Sequence, residues 1–158
     1  MPIDRRCFYQ IVAILGAVFA YATIVLGGTV RGMGAGLACP DWPLCKGSIV
    51  PDVGDPLVAV EYAHRMFAAL TSLFLLLTTV LALLWYRSEL RLITLTGLGF
   101  GILVAQVGFG ALTITSSLDW VVVTIHLALG AATFGFALIV ALWLLWSPAG
   151  RLMTSPSR

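Results

Sequence analysis

Charge is what this chain has least of. Asp, Glu, Lys and Arg together make up 10% of its 158 residues, against 60% apolar, and the mean hydropathy is +1.03. So few charges cannot cover the surface of a soluble globule, and the composition belongs to the membrane class. The net charge is only +2 and the basic residues nowhere cluster, so no nucleic-acid partner is expected. Histidine is scarcer still, with two residues, and cysteine numbers three.

Long apolar runs are what the chain has in their place. Four are long enough to cross a bilayer: about 7–28, 57–86, 92–113 and 120–146. Lipid offers the backbone no hydrogen-bond partner, so the expected fold is all-α: a single integral-membrane bundle of four transmembrane helices over residues 1–158. Arg5 and Arg6 followed by an apolar stretch ending in Ala20-Tyr21-Ala22 also have the look of a cleaved leader. The run continues through Ile24-Val25-Leu26, which favours a retained span.

Basic residues set the orientation. Arg5, Arg6, Arg87, Arg91, Arg151 and Arg158 share one side of a four-pass topology. The other side mixes Arg31, Lys46 and Arg65 with Asp41, Asp52, Asp55, Glu61 and Asp119. The positive-inside rule places both termini in the cytoplasm and the long loop 29–56 outside, in a multi-pass protein of the cell membrane.

That loop carries "ACPDWPLCKG" from Ala38 to Gly47. Outside the membrane thiols are often oxidised, which favours a disulfide between Cys39 and Cys45 in a segment already stiffened by Pro40 and Pro43. The alternative is two unpaired cysteines packed under the loop. Zinc would want more ligands, and the loop has no histidine. Cys7, near the inner surface, reads as a free, buried thiol.

His64 and His126 each lie within a spanning run, where ionisable residues are costly and tend to be functional. They stand 22 residues from Tyr86 and 20 from Trp146. At about 1.5 Å per residue both sit about 30 Å above the inner boundary, at nearly one height. One histidine on each of two helices at one depth suits a pair of axial ligands holding one haem iron.

Glu61 lies three positions before His64, on the same helical face, and Arg65 follows directly. Arg31 and Arg65 are guanidinium groups suited to haem propionates. Glu61 also reads as a carboxylate merely paired with Arg65 or Arg31. Gln106 and the glycines at 97, 99, 101, 108 and 110 mark the third run, for close helix packing or for room beside a flat macrocycle. Asp-Trp occurs twice, at Asp41-Trp42 and Asp119-Trp120, each upstream of a histidine, as a faint echo between the two halves.

The stretches "GGTVRGMGAGLACPDWPLCKG", "EYAHR", "QVGFGALT" and "VVVTIHLALG" resemble the haem A synthase family. They cover the first loop and the outer halves of all four runs. The resemblance implies oxidation of the ring D methyl of haem O to a formyl group, giving haem A for terminal oxidases, by hydroxylation, a second oxidation and loss of water. It implies His64 and His126 as axial ligands of a haem, Glu61 as the catalytic carboxylate, and Cys39 and Cys45 as the outer-loop pair. Haem O would be substrate and haem A product, with haem B a possible occupant. The loop would then be a stapled lid that keeps water from the site; a redox role for the cysteine pair is the other use of such a loop.

Better-known members of that family have eight helices and four histidines, so this four-run chain resembles their first half. A homo-oligomer is expected on that ground, beside an enzyme that supplies haem O and an electron donor. Three other readings compete. A non-catalytic bis-histidine membrane cytochrome or haem carrier would need no Glu61. A membrane thiol oxidant would want a second cysteine pair on the same side. A purely structural subunit would leave four polar groups in lipid unexplained.

Overall fold

A computed structural model describes residues 4–146; Arg151 and Arg158, used above for the orientation, lie outside them. Four helices follow one another: α1 (Arg5–Met33), α2 (Pro56–Trp85), α3 (Leu90–Thr115) and α4 (Trp120–Trp146). Each is long and apolar enough to span a membrane. The chain is a four-span, all-α membrane bundle.

The ends of the helices are set by local chemistry. Asp4 accepts the Arg6 N–H at the start of α1, and Asp55 accepts the Leu57 N–H at 2.9 Å, with Pro56 at the first helical position of α2. Asp119 does the same for α4 through Val121 and Val122. At its far end α1 runs five residues beyond the expected 28. Gly27, Gly28 and Gly32 do not break it, because continuing the helix is the way for these amides to stay bonded in lipid. It stops at Gly34, whose φ of 70° suits glycine, while the Ala35 N–H turns back to the Val30 carbonyl at 2.9 Å.

The helices form a ring in which α1 packs on α2 and α4, and α3 on α4 and α2. One end carries the 34–55 loop and the 116–119 turn; we call it the loop end. The opposite end is filled by Tyr9, Ala13, Ala82, Tyr86, Leu92, Val140 and Leu144. Next to them a middle layer of Ala17, Leu75, Leu103, Ala137 and Ala141 closes the bundle. Towards the loop end this packing stops. Among the described residues none is buried over 21–29 of α1, 62–70 of α2, or the whole of 104–132. A smaller cluster of Cys39, Cys45 and Val58 then seals the end under the loop.

Two expectations change. Cys7 is free but exposed on the outer face of α1. It lies two residues, or about 200°, round the helix from the buried Tyr9. The α3 glycines divide. Gly99 serves close packing, with a built Cβ only 3.0 Å from the Phe136 Cβ, whereas Gly97, Gly101 and Gly108 face open space. Gly99→Val should therefore force α3 and α4 apart and cost about 1–3 kcal/mol. Gly97→Val should stay within about 0.5 kcal/mol of wild type. Unfolding of both variants in detergent checks the difference.

Candidate functional site

The two histidines occupy the unpacked layer and are held in the same way. His64 of α2 places Nδ1 3.1 Å from the Thr23 carbonyl of α1. His126 of α4 places Nδ1 3.1 Å from the Gln106 carbonyl of α3. Both acceptors are helix carbonyls, which keep a second lone pair beyond the one used in the helix. In both cases the residue four positions on is glycine. A Cβ on Gly27 would lie 3.0 Å from Cε1 of His64, and one on Gly110 would lie 3.1 Å from Cε1 of His126. The missing side chain is what lets each imidazole reach its carbonyl.

A carbonyl only accepts, so each Nδ1 carries the proton and each Nε2 keeps its lone pair. This is the tautomer of a metal-ligating histidine whose other nitrogen is tied back to the protein. Thr23 also joins its hydroxyl to that of Thr71 at 3.1 Å, so α1 and α2 are bonded on both sides of the carbonyl.

Glu61, one turn before His64, is buried at 6% exposure. Its Oε1 accepts from Arg65 Nε at 2.8 Å. The remaining Arg65 bonds go to the loop: Nη1 donates to the carbonyls of Asp41 and Leu44 at 2.7 and 2.6 Å, and Nη2 to that of Cys39 at 2.7 Å. The loop itself is closed by the Cys39–Cys45 disulfide. Asp41 braces it from within by accepting the Lys46 and Gly47 N–H groups at 2.6 and 2.7 Å. Leu118 of the α3–α4 turn sits against Gly36, where a Cβ would be 3.1 Å away, and fastens the loop to the second hairpin.

Gln106 contributes twice. Its backbone holds His126, and its side chain lies against Gly130 of α4, with Nε2 3.0 Å from a built Cβ. Its Oε1 is buried and has no hydrogen-bond partner among the described residues, an acceptor that waits for a donor. Arg31, in contrast, is exposed at the end of α1 and makes no side-chain hydrogen bond within the described residues. The structure thus gathers Glu61, His64, Arg65 and the cysteine pair into one connected group, sets His126 and Gln106 opposite, and leaves Arg31 at the rim.

Haem fits this donor set. Two Nε2 atoms with no hydrogen-bond partner among the described residues come from different helix pairs, their layer contains no buried residue over 21–29, 62–70 and 104–132, and an orphan acceptor belongs to Gln106, whose carbonyl holds His126. Sequence reasoning missed Thr23 and Gly27, and named Gly110 only among the glycines of the third run; the signal was the shared four-residue spacing from carbonyl to glycine.

Residues 10–157 match the family described as COX15-CtaA, cytochrome oxidase assembly protein. The chain belongs to this family. Similar members include a haem A synthase of Symbiobacterium thermophilum, 35% identical over 141 residues that make up 85% of this chain and 43% of that protein. A haem A synthase of Shouchella clausii is 32% identical over 65% of this chain and 34% of its own length. Protoheme IX farnesyltransferase 1 of Natronomonas pharaonis is 33% identical over 84% of this chain but 27% of its own length. The chain therefore spans well under half of each of these relatives.

The loop offers a first test. The Gly47 N–H above all, with that of Lys46 and the charge of Arg65, outweighs partial desolvation and holds the Asp41 carboxyl below its ordinary value of 3.8. A lowered value means that the bracing is complete above the ordinary value and is lost as pH falls through the lowered one. Hydrogen-exchange protection of the Lys46 and Gly47 amides should hold from neutral pH through the ordinary carboxyl value of 3.8 and disappear only as pH falls through the lowered one. Asp41→Asn, with one acceptor oxygen for two donors, should lose it at neutral pH.

Proposed function

We propose that this chain holds haem O between its two hairpins in the cell membrane, loop outside, and oxidises the ring D methyl to the formyl group of haem A. The observation that carries the reading is the matched pair of imidazoles, each tied back through Nδ1 and open at Nε2, across the layer of the bundle that contains no buried residue. Haem bound there supplies a redox-active iron and the ring whose methyl is oxidised; haem B suits the same ligands.

The chain's own residues do the rest. His64 and His126 would ligate the iron. Glu61, on the face of α2 that carries His64, would be the carboxylate that stabilises developing positive charge or takes up the proton released. Arg31 is the guanidinium left free for an acidic group of the ligand, since Arg65 is occupied by the loop. Gln106 Oε1 is the acceptor for a donor on or near the ring. The fastened loop keeps bulk water from the layer.

The relatives support haem as the common element. Proteins named for making haem A and for farnesylating protoheme IX are similar in sequence to this chain over a minority of their own lengths. Association of two or more copies, a supplier of haem O and an electron donor complete the reading.

Extraction and chromatography of haem from protein expressed with and without a source of haem O test it. Haem A or its hydroxylated precursor should appear only with haem O. Haem B alone in both cultures would leave a bis-histidine cytochrome. Glu61→Gln should keep the haem spectrum and lower conversion by at least about 100-fold. Gly27→Ala or Gly110→Ala should push the imidazole off its carbonyl and weaken haem affinity about 10- to 100-fold, read by titration of the absorption spectrum.

A further inference from the structure

Arg65 sits next to His64 in sequence, and a guanidinium in that place invites an anionic ligand. In the structure most of its donors are already taken. Of the five N–H groups on a guanidinium, Arg65 commits four: one to Glu61 and three to carbonyls of the 39–45 loop, all at 2.6–2.8 Å. Those three carbonyls belong to Cys39, Asp41 and Leu44, so all lie within or beside the ring closed by the disulfide.

Glu61 is a flexible side chain by nature, yet it is buried and Arg65 is its sole side-chain partner among the described residues. Where the carboxylate stands is thus set by where the guanidinium stands. The guanidinium is held in turn by a closed and braced loop: Cys39 and Cys45 are 0% and 2% exposed, and Asp41 ties its far side. Asp41 turns its carboxylate to Lys46 and Gly47, so it offers Arg65 its backbone oxygen, and the direct ion pair of the guanidinium is with Glu61.

We propose that Arg65 is a positioning residue: its guanidinium fastens the disulfide-closed loop to Glu61 and fixes the carboxylate beside His64, and it does not bind the acidic groups of the substrate. This rests on the reading of Glu61 as the group beside the reacting methyl. It also gives the loop a second task, because the staple that covers the site is the part that aims its carboxylate.

The experiment is a double-mutant cycle read at the disulfide, with Cys7 alkylated beforehand. The rate at which a water-soluble phosphine reduces Cys39–Cys45 is followed by mass shift in wild type, Glu61→Gln, Arg65→Gln and the double variant. Hydrogen bonds to charged groups are worth enough that losing the clamp should speed reduction about tenfold. Both single variants should show this, and the double variant no more than Arg65→Gln alone. Arg65→Lys keeps the charge but cannot span a carboxylate and three carbonyls, so it should behave as Arg65→Gln does, and it carries the test if the glutamine variant does not fold.

In turnover with haem O, kcat should fall about 100-fold with KM unchanged, the signature of a misplaced group. Additive effects in the cycle, or a Glu61→Gln loop as resistant as wild type, would overturn the proposal. So would a raised KM with kcat retained, which would make Arg65 a substrate contact. If the wild-type protein converts no haem O, the proposed function fails, and the reduction cycle, which needs no substrate, still decides whether Arg65 joins Glu61 to the loop.

Discussion

A helix carbonyl has a lone pair to spare, but the side chain one turn further on normally covers it. Removing that side chain is the step on which the rest of the loop end depends. Gly27 uncovers the Thr23 carbonyl and Gly110 uncovers that of Gln106. Each carbonyl then takes an Nδ1–H from a histidine on the neighbouring helix, at 3.1 Å in both cases. In lipid an imidazole would otherwise lack a partner, and an unpaired buried polar group costs about 1–3 kcal/mol. The bond meets that need at one nitrogen and frees the other. It also joins α1 to α2 and α3 to α4 where apolar packing is thin.

The unpacked layer runs against the usual rule that interiors are filled to crystal density. Between α1 21–29, α2 62–70 and residues 104–132 no described side chain is buried. Stability comes instead from the two layers beyond it, built from Tyr9, Leu75, Leu92, Leu103 and Leu144, and from the loop cluster of Cys39, Cys45 and Val58 at the other side. A bundle fastened above and below such a layer keeps its shape although burial within the layer is incomplete. Departures of this kind from good packing are found where a site is built.

Much of this was legible in the sequence. The four apolar runs gave the helices, and counting residues from Tyr86 and Trp146 placed both histidines in the layer where they are found. The faint Asp-Trp echo does not mark equivalent places: Asp119 caps α4, whereas Asp41 braces the loop and α2 is capped by Asp55. The closer likeness, Thr23 with Gly27 against Gln106 with Gly110, was hidden because a four-residue spacing to glycine is unremarkable in a chain with 16 glycines. Arg65 was legible as a cation beside a carboxylate, whereas which loop carbonyls turn inward depends on how 39–45 closes on itself. Cys7 was misjudged because the face of a helix, not its apolar character, decides burial in a bundle that presents apolar side chains to lipid. Where α1 ends was obscured by glycines that break helices in water and continue them here.

The bonds around Arg65 decide what kind of cover the loop is. The ion pair with Glu61 is largely removed from solvent, with side chains 8% and 11% exposed. Breaking such a pair by removing one partner costs about 3–5 kcal/mol, because the charge left behind is unpaired. Lifting the loop would draw the guanidinium away from Glu61 or leave three carbonyls without it, and the disulfide and the Gly36–Leu118 contact resist the same movement. A mobile lid is built from segments with few buried contacts and hydrogen bonds open to solvent. This loop has buried cysteines, a carboxylate bracing its turn and three carbonyls held by the Arg65 guanidinium of α2, so it is built as a fastened cover and not as such a lid.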